Sequence, residues 1–104
     1  MPKYDSSGRP EWEAVHCADG FNMSVQASRY NYCSPRNNTG PWYSVEVGYP
    51  SHLDVLLRPY AEEPDRPTDT VYGYVPSEII LAVVEAHGGQ VGGELPELIL
   101  EEKD

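Results

Sequence analysis

The first clear alternation of apolar and polar residues lies on either side of Asp19-Gly20, a dipeptide typical of tight β-hairpin turns. A two-residue turn at this point places His16 opposite Met23. That register gives one apolar and one polar face, as a half-buried antiparallel hairpin requires. The apolar face comprises Trp12, Ala14, His16, Phe21, Met23 and Val25, and the polar face comprises Glu13, Cys17, Asn22, Ser24 and Gln26. The pattern therefore predicts a hairpin with His16 inside and Cys17 outside.

Two more segments have the patterns of strands. Residues 43–49, YSVEVGY, place Tyr and Val side chains on one side and Ser, Glu and Gly on the other. Residues 70–75, TVYGYV, are rich in β-branched and aromatic residues. Between these segments, residues 52–60 fit either a short strand or a helical turn, and residues 62–69, EEPDRPTD, are predicted as a loop.

Helical periodicity is clear in residues 76–89, PSEIILAVVEAHGG. Pro76 suits the first helical position, and Gly88 suits the left-handed residue just past the end. The apolar stretch at residues 98–100 either adds an edge strand or docks on a partner subunit. This order of elements predicts an α+β fold, in which a small antiparallel sheet of four to five strands packs against one C-terminal α-helix.

The length of 104 residues predicts a single domain. We expect a flexible N-terminal lead at residues 1–10, one α+β domain at residues 11–93 and an acidic C-terminal tail at residues 94–104. No apolar run is long enough to span a membrane, and the first residues lack the apolar stretch of a signal peptide. We therefore expect a cytoplasmic protein in which Cys17 and Cys33 are free thiols, and a disulfide between them is the less favoured alternative.

The net formal charge of −10 is unevenly distributed along the chain. Residues 1–60 carry six acidic and five basic residues, a net charge of −1, whereas residues 61–104 carry eleven acidic and two basic residues, a net charge of −9. An acidic surface disfavours direct nucleic-acid binding, and no membrane binding is expected. It favours either plain solubility or a partner with a basic surface. The acidic residues predicted to contact such a partner are Glu62, Glu63, Asp65 and Asp69.

Residues that could carry catalysis are sparse. A nucleophilic cysteine needs a nearby base, but His16 and Cys17 are neighbours in a strand and point to opposite faces. Cys33 can reach His52 or His87 only through the fold, so a small cysteine-dependent enzyme is the least favoured hypothesis. The sequence contains no short zinc-ligand spacing, no carboxylate pair in an apolar setting and no glycine-rich phosphate loop. We therefore predict a non-enzymatic protein with no catalytic residue, metal ligand or cofactor.

Residues 29–43, RYNYCSPRNNTGPWY, connect the hairpin to the next predicted strand. Loops of this length are usually functional or disordered, and Tyr, Trp and Arg are the residues most enriched at binding hot spots. The alternative is that these aromatic residues cover the core while the arginines pair with acidic neighbours. We predict a recognition loop, with Arg36 as its strongest candidate contact. Its predicted partner-binding residues are Arg29, Tyr30, Tyr32, Arg36 and Trp42.

Several segments resemble small acidic proteins encoded by tailed bacteriophages. They are FNMSVQASRYNYCSPR, GPWYSVEVGYPS and DTVYGYVP, followed by the helix that ends in His-Gly-Gly. The resemblance spans roughly residues 17–93 and brings no catalytic residues with it. It implies a non-virion phage protein that modulates host machinery or blocks host defence in the host cytoplasm. Origin alone cannot establish function, because function depends on the site.

Two functional hypotheses follow. The first is a phage-encoded inhibitor of a host defence system, of the anti-CRISPR type, that occludes a basic or nucleic-acid-binding surface of its target protein. The second is sequestration of a nucleotide-type immune signal in a pocket lined by Arg29, Arg36 and Tyr30 or Tyr32. A homo-oligomer formed through the C-terminal tail is an additional expectation about assembly.

Overall fold

Two antiparallel sheets and one α-helix make up the computed structural model, which describes residues 2–100. A small sheet pairs β1 (Lys3–Tyr4) with β2 (Pro10–Glu11). The main sheet contains β3 (Val15–Cys17), β4 (Asn22–Gln26), β5 (Ser44–Gly48), β6 (Val71–Pro76) and β7 (Gln90–Gly92). Its spatial order is β6–β5–β4–β3–β7, and every neighbouring pair is antiparallel. The predicted α+β class is therefore confirmed.

The helix α1 (Ser77–Ala86) follows β6 directly and covers the main sheet from one side. Pro76 is the residue before the first helical turn, one position earlier than predicted. Ile80 and Val83 are fully buried in the core, which confirms the apolar face expected from the periodicity. Gly88 follows the helix with a φ of 90°, as predicted. With ten residues, α1 is too short to cross a membrane, and no other helix within residues 2–100 meets that requirement.

The register of the β3–β4 hairpin differs by one residue from the prediction. Val15, not His16, lies opposite Met23, and the N–H of Cys17 donates to the carbonyl of Phe21 at 2.8 Å. The turn therefore contains three residues, the last of which is Gly20 in the left-handed conformation at a φ of 97°. Since side chains alternate with a period of two, this one-residue shift exchanges the buried and exposed faces of β3.

The consequence of that shift is a different core contribution from β3. Val15 and Cys17 are buried, whereas His16 is exposed, so the predicted placement of His16 and Cys17 was wrong. The core otherwise contains the valines of β5, predicted on one side of the strand at residues 43–49, and the apolar residues of β4. Its buried members are Val15, Cys17, Phe21, Met23, Val25, Ala27, Cys33, Trp42, Val45, Val47, Leu57, Tyr72, Val75, Ile80 and Val83.

Both terminal segments contact the domain. Within the lead predicted to be flexible, the β1–β2 pair closes a turn in which the Asp5 carboxylate accepts hydrogen bonds from the backbone N–H groups of Ser7 and Arg9. In the tail, Trp42 donates its backbone N–H to Glu97 and accepts from Ile99, each at 2.9 Å. The tail thus adds a short parallel bridge beside Trp42, and its residues 101–104 lie outside the described part of the chain.

The ambiguous segment at residues 52–60 ends in a short 3₁₀ helix, Arg58–Tyr60, after a turn whose Leu56 N–H is capped by the Asp54 carboxylate at 2.8 Å. Leu57 from this segment is buried in the core. Three apolar neighbours, Leu53, Val55 and Leu56, remain 37–76% exposed. The segment therefore fixes one core residue and leaves an apolar loop tip on the surface.

Candidate functional site

The recognition loop, residues 29–43, is held against the sheet by side-chain hydrogen bonds. The Ser28 hydroxyl donates to the Asn31 side-chain oxygen at 2.6 Å, and the Asn31 amide donates to Glu46 on β5, also at 2.6 Å. Ser34 forms a backbone bridge with Ser44 at the start of the same strand. The loop is therefore an ordered part of the domain that presents a fixed set of side chains.

Four of the five residues predicted as contacts in this loop are on the surface. Tyr30 and Tyr32 are 55% and 41% exposed, and Arg29 and Arg36 are exposed as well. The Arg29 guanidinium lies 5.6 Å from the centre of the Tyr30 ring, which is cation–π distance. Neither arginine forms an ion pair within residues 2–100. Both charges are therefore available to a partner.

Trp42 is the exception, and its assignment as a surface contact has to be corrected. It is only 2% exposed, and it packs edge-on against Trp12 with 5.3 Å between ring centres. Its position next to β5 and beside the C-terminal tail places it inside the core, where an indole ring stabilises the fold by burial. Its indole N–H is buried and has no acceptor among the residues that the structure describes.

The acidic loop, residues 62–69, protrudes between the 3₁₀ helix and β6. Its Glu and Asp side chains are all exposed, and the backbone of Glu62 and Glu63 is anchored on Val71 and Thr70. Arg66 lies 4.0 Å from Glu63 and 3.9 Å from Asp69 at their closest charged atoms. Glu62 and Asp65 have no cation this close within residues 2–100. The loop thus carries a net negative charge on a fixed backbone. An open depression of about 390 Å³ lies among its side chains.

The two cysteines are free thiols in the core. Burial and the nearby charge of Glu46 raise the pKa of the Cys33 thiol, and together they outweigh the hydrogen bond to Ser28 and the charge of Arg36, which lower it. Burial and the charge of Asp19 raise the pKa of Cys17. The Cys33 sulfur contacts the Ser28 and Pro35 carbonyls, whereas the two histidines suggested as its bases bond elsewhere. The structure therefore does not bring a cysteine–histidine pair together.

A histidine between two carboxylates forms a second polar cluster. Nδ1 of His87 lies 2.7 Å from Asp19 and Nε2 lies 2.8 Å from Asp54, so the charged ring donates to both. The ring also stacks on Phe21, with centres 4.0 Å apart. Partial burial lowers the pKa of His87, but the hydrogen bonds and charges of the two carboxylates outweigh burial and raise it overall. The cluster connects the hairpin turn, the helix end and the 52–57 turn.

A cleft of about 430 Å³ opens where residues 2–12 and 95–97 meet the recognition loop. It is lined by Pro2, Tyr4, Trp12, Asn38, Thr39, Trp42, Leu95 and Glu97. Glu97 is the one charged residue among them, and Tyr4 is 61% exposed at the rim. The cleft is therefore an aromatic cavity with a single carboxylate.

Neither of these two cavities is lined by Arg29, Tyr30, Tyr32 or Arg36. The nucleotide-binding hypothesis therefore gains no support from these two cavities and stays a prediction. In the described part of the chain, no three His, Cys, Asp or Glu residues are arranged to hold a metal ion. Comparison of the chain with protein-family models, curated proteins and solved structures gives no match.

Sequence reasoning missed both the His87 cluster and the cleft. The partners of His87 are 68 and 33 residues away in the chain, so no local pattern could connect them. The cleft combines residues from both termini with the recognition loop, and its members were attributed to different elements. The two tryptophans, which are rare and large, were a signal visible in the sequence. The sequence did not show that they lie against each other.

Proposed function

We propose that this protein is a non-enzymatic binding protein that docks its acidic loop on a basic surface of a partner protein. The observation that carries the proposal is the surplus of carboxylates on an anchored loop, in a protein whose net charge is −10. Fixing the backbone in advance lowers the entropic cost of binding, because fewer side chains and backbone angles must be ordered on contact.

Charge complementarity of this kind accelerates association and selects the partner. The exposed arginines and tyrosines of the recognition loop supply residue types that are enriched at binding hot spots. Together they support a protein surface as the target better than a nucleic acid, whose phosphates the acidic loop would repel.

The resemblance to small acidic phage proteins suggests a biological form for this proposal. The partner would be a host defence protein with a basic or nucleic-acid-binding surface, and the protein would occlude that surface in the host cytoplasm. Inhibition would then follow from steric and electrostatic exclusion of the natural ligand, without a chemical step.

The test is affinity capture from host lysate, followed by measurement of the binding constant for one purified captured protein. We expect the affinity to fall at least tenfold between about 50 and 300 mM salt. Salt screens the attraction between exposed charges, and the screening length is only about 10 Å at 0.1 M salt. At low salt, where the charge contribution is largest, the double variant Glu62→Gln/Asp65→Asn should bind more weakly than the wild type. Glu13→Gln/Glu85→Gln, the control, removes two charges elsewhere on the surface and should have a smaller effect.

Salt-independent binding, or equal effects of the two double variants, would refute docking through the acidic loop. Arg36→Ala in the same assay examines the recognition loop. We expect it to weaken binding, because Arg36 is exposed and forms no ion pair within residues 2–100.

A further inference from the structure

We infer that the cleft between residues 2–12, residues 95–97 and the recognition loop receives an arginine side chain of the partner protein. This inference rests on the proposed function, because it assumes a partner with a basic surface. It adds a second, chemically distinct contact to the acidic loop and assigns it a ligand class.

The lining of the cleft favours a cation with a flat, weakly hydrated face. Tyr4 and Trp12 supply accessible aromatic rings, which attract a cation through the negative charge density of the ring face, whereas Trp42, only 2% exposed, forms part of the wall. Glu97 supplies the single charged group of the lining, and its carboxylate is exposed. A guanidinium group can stack on an aromatic ring and donate two parallel hydrogen bonds to a carboxylate, which an ammonium group cannot do.

The cleft is held open by contacts that do not involve a ligand. Backbone hydrogen bonds join Trp42 to Glu97 and Ile99, and the Gln26 side chain bonds both the backbone N–H and the carbonyl of Trp12 at 3.0 and 2.6 Å. Its volume of about 430 Å³ lies within the usual range for small-ligand sites. It therefore suits one inserted side chain rather than a long segment of a partner.

The experiment uses the intrinsic fluorescence of the full chain. Both tryptophans of the protein line the cleft, so a ligand that enters it changes their emission directly. The probe is a blocked Gly-Arg-Gly tripeptide, and its matched control is the same peptide with citrulline, which keeps the shape of arginine but not its charge. We expect a saturable change with the arginine peptide and at least a tenfold weaker response with the citrulline peptide. A lysine peptide should fall between them.

Two variants locate the response. Glu97→Gln keeps the backbone contact to Trp42 and should weaken peptide binding about three- to fivefold, the effect of one exposed charge pair. Tyr4→Ala should weaken it by a similar factor, since an exposed cation–π contact has comparable strength. Glu85→Gln and Tyr49→Ala make the same chemical changes outside the cleft, at a tyrosine nearly as exposed as Tyr4, and should leave the peptide affinity unchanged.

Equal responses to the arginine and citrulline peptides, or no saturable response, would overturn the inference. So would equal affinities for Glu97→Gln and Glu85→Gln. The two proposals fail separately. If the acidic-loop variants weaken partner binding while the cleft variants and the peptide have no effect, the cleft inference is wrong and the proposed function stands. If the peptide enters the cleft but partner binding depends neither on salt nor on the acidic-loop variants, the proposed function is wrong.

Discussion

Replacement of His87 by Gln should destabilise the fold in a pH-dependent manner. The substitution removes a ring that donates to Asp19 and Asp54 and stacks on Phe21. The Asp54 carboxylate is the costlier partner to leave, because its side chain is only 9% exposed. A hydrogen bond between charged groups contributes about 1.5–3 kcal/mol, and an aromatic stack adds about 0.5 kcal/mol or more. We expect a loss of about 2–3 kcal/mol in the free energy of unfolding.

The pH dependence follows from the direction of two pKa shifts. The pKa of His87 is raised above its ordinary value of 6.5, so its contribution is complete below pH 6.5 and is lost as the pH rises through the folded value. The pKa of Asp19 is lowered from 3.8, first by its hydrogen bond from the Phe21 N–H and then by the bond to His87. Its contribution is therefore present above pH 3.8 and is lost as the pH falls through the folded value. The difference between wild type and variant should be greatest between about pH 4 and 6.5.

Urea unfolding followed by fluorescence at several pH values measures this difference, and thermal unfolding should show a decrease of about 10–20 °C in Tm near pH 6. The matched control is His52→Gln, because His52 is exposed and, within residues 2–100, its ring bonds only to the adjacent Ser51. It should change the free energy of unfolding by less than about 0.5 kcal/mol. A His87→Gln effect that is constant from pH 5 to 9, or that grows as the pH rises, would refute the reasoning.

Further predictions concern the backbone and the thiols. Gly93→Ala should cost about 3 kcal/mol, because Gly93 has a φ of 81° and an added methyl group would overlap the Ala14 carbonyl. Gly89→Ala, at a φ of 94° but in open space, should cost only about 1 kcal/mol. If urea unfolding gave equal losses of stability for the two variants, the close approach of Gly93 to Ala14 would not be the cause. Cys17 and Cys33 are 3% and 0% exposed, so a thiol reagent should label neither in the native protein and both in denaturant. Rapid labelling of the native protein would show that the core is open.

The main elements of the fold could be predicted because the signals for them are local. Alternation identifies strands, and a 3.6-residue period together with a proline start identifies the helix. The hairpin register could not be predicted because Val15 and Cys17 bury as readily as Ala14 and His16, so the pattern fits either face. Which face of β3 is buried depends on whether the turn has two or three residues, and an Asp-Gly pair such as Asp19-Gly20 is found in both kinds of turn. The β7 edge was also missed, since a Gly-rich segment carries little strand propensity.

The candidate site could be predicted only in part, and Trp42 explains why. Composition pointed to a recognition loop, and Arg29, Arg36, Tyr30 and Tyr32 of that loop are exposed, but composition cannot separate a buried indole from an exposed one. The burial of Trp42 depends on its hydrogen bonds to tail residues more than 50 positions away. Those same bonds bring Glu97 to the cleft, so one long-range contact both removes a predicted surface residue and creates the aromatic cavity. A residue type favoured at interfaces therefore forms a wall of the proposed arginine site instead of an exposed anchor.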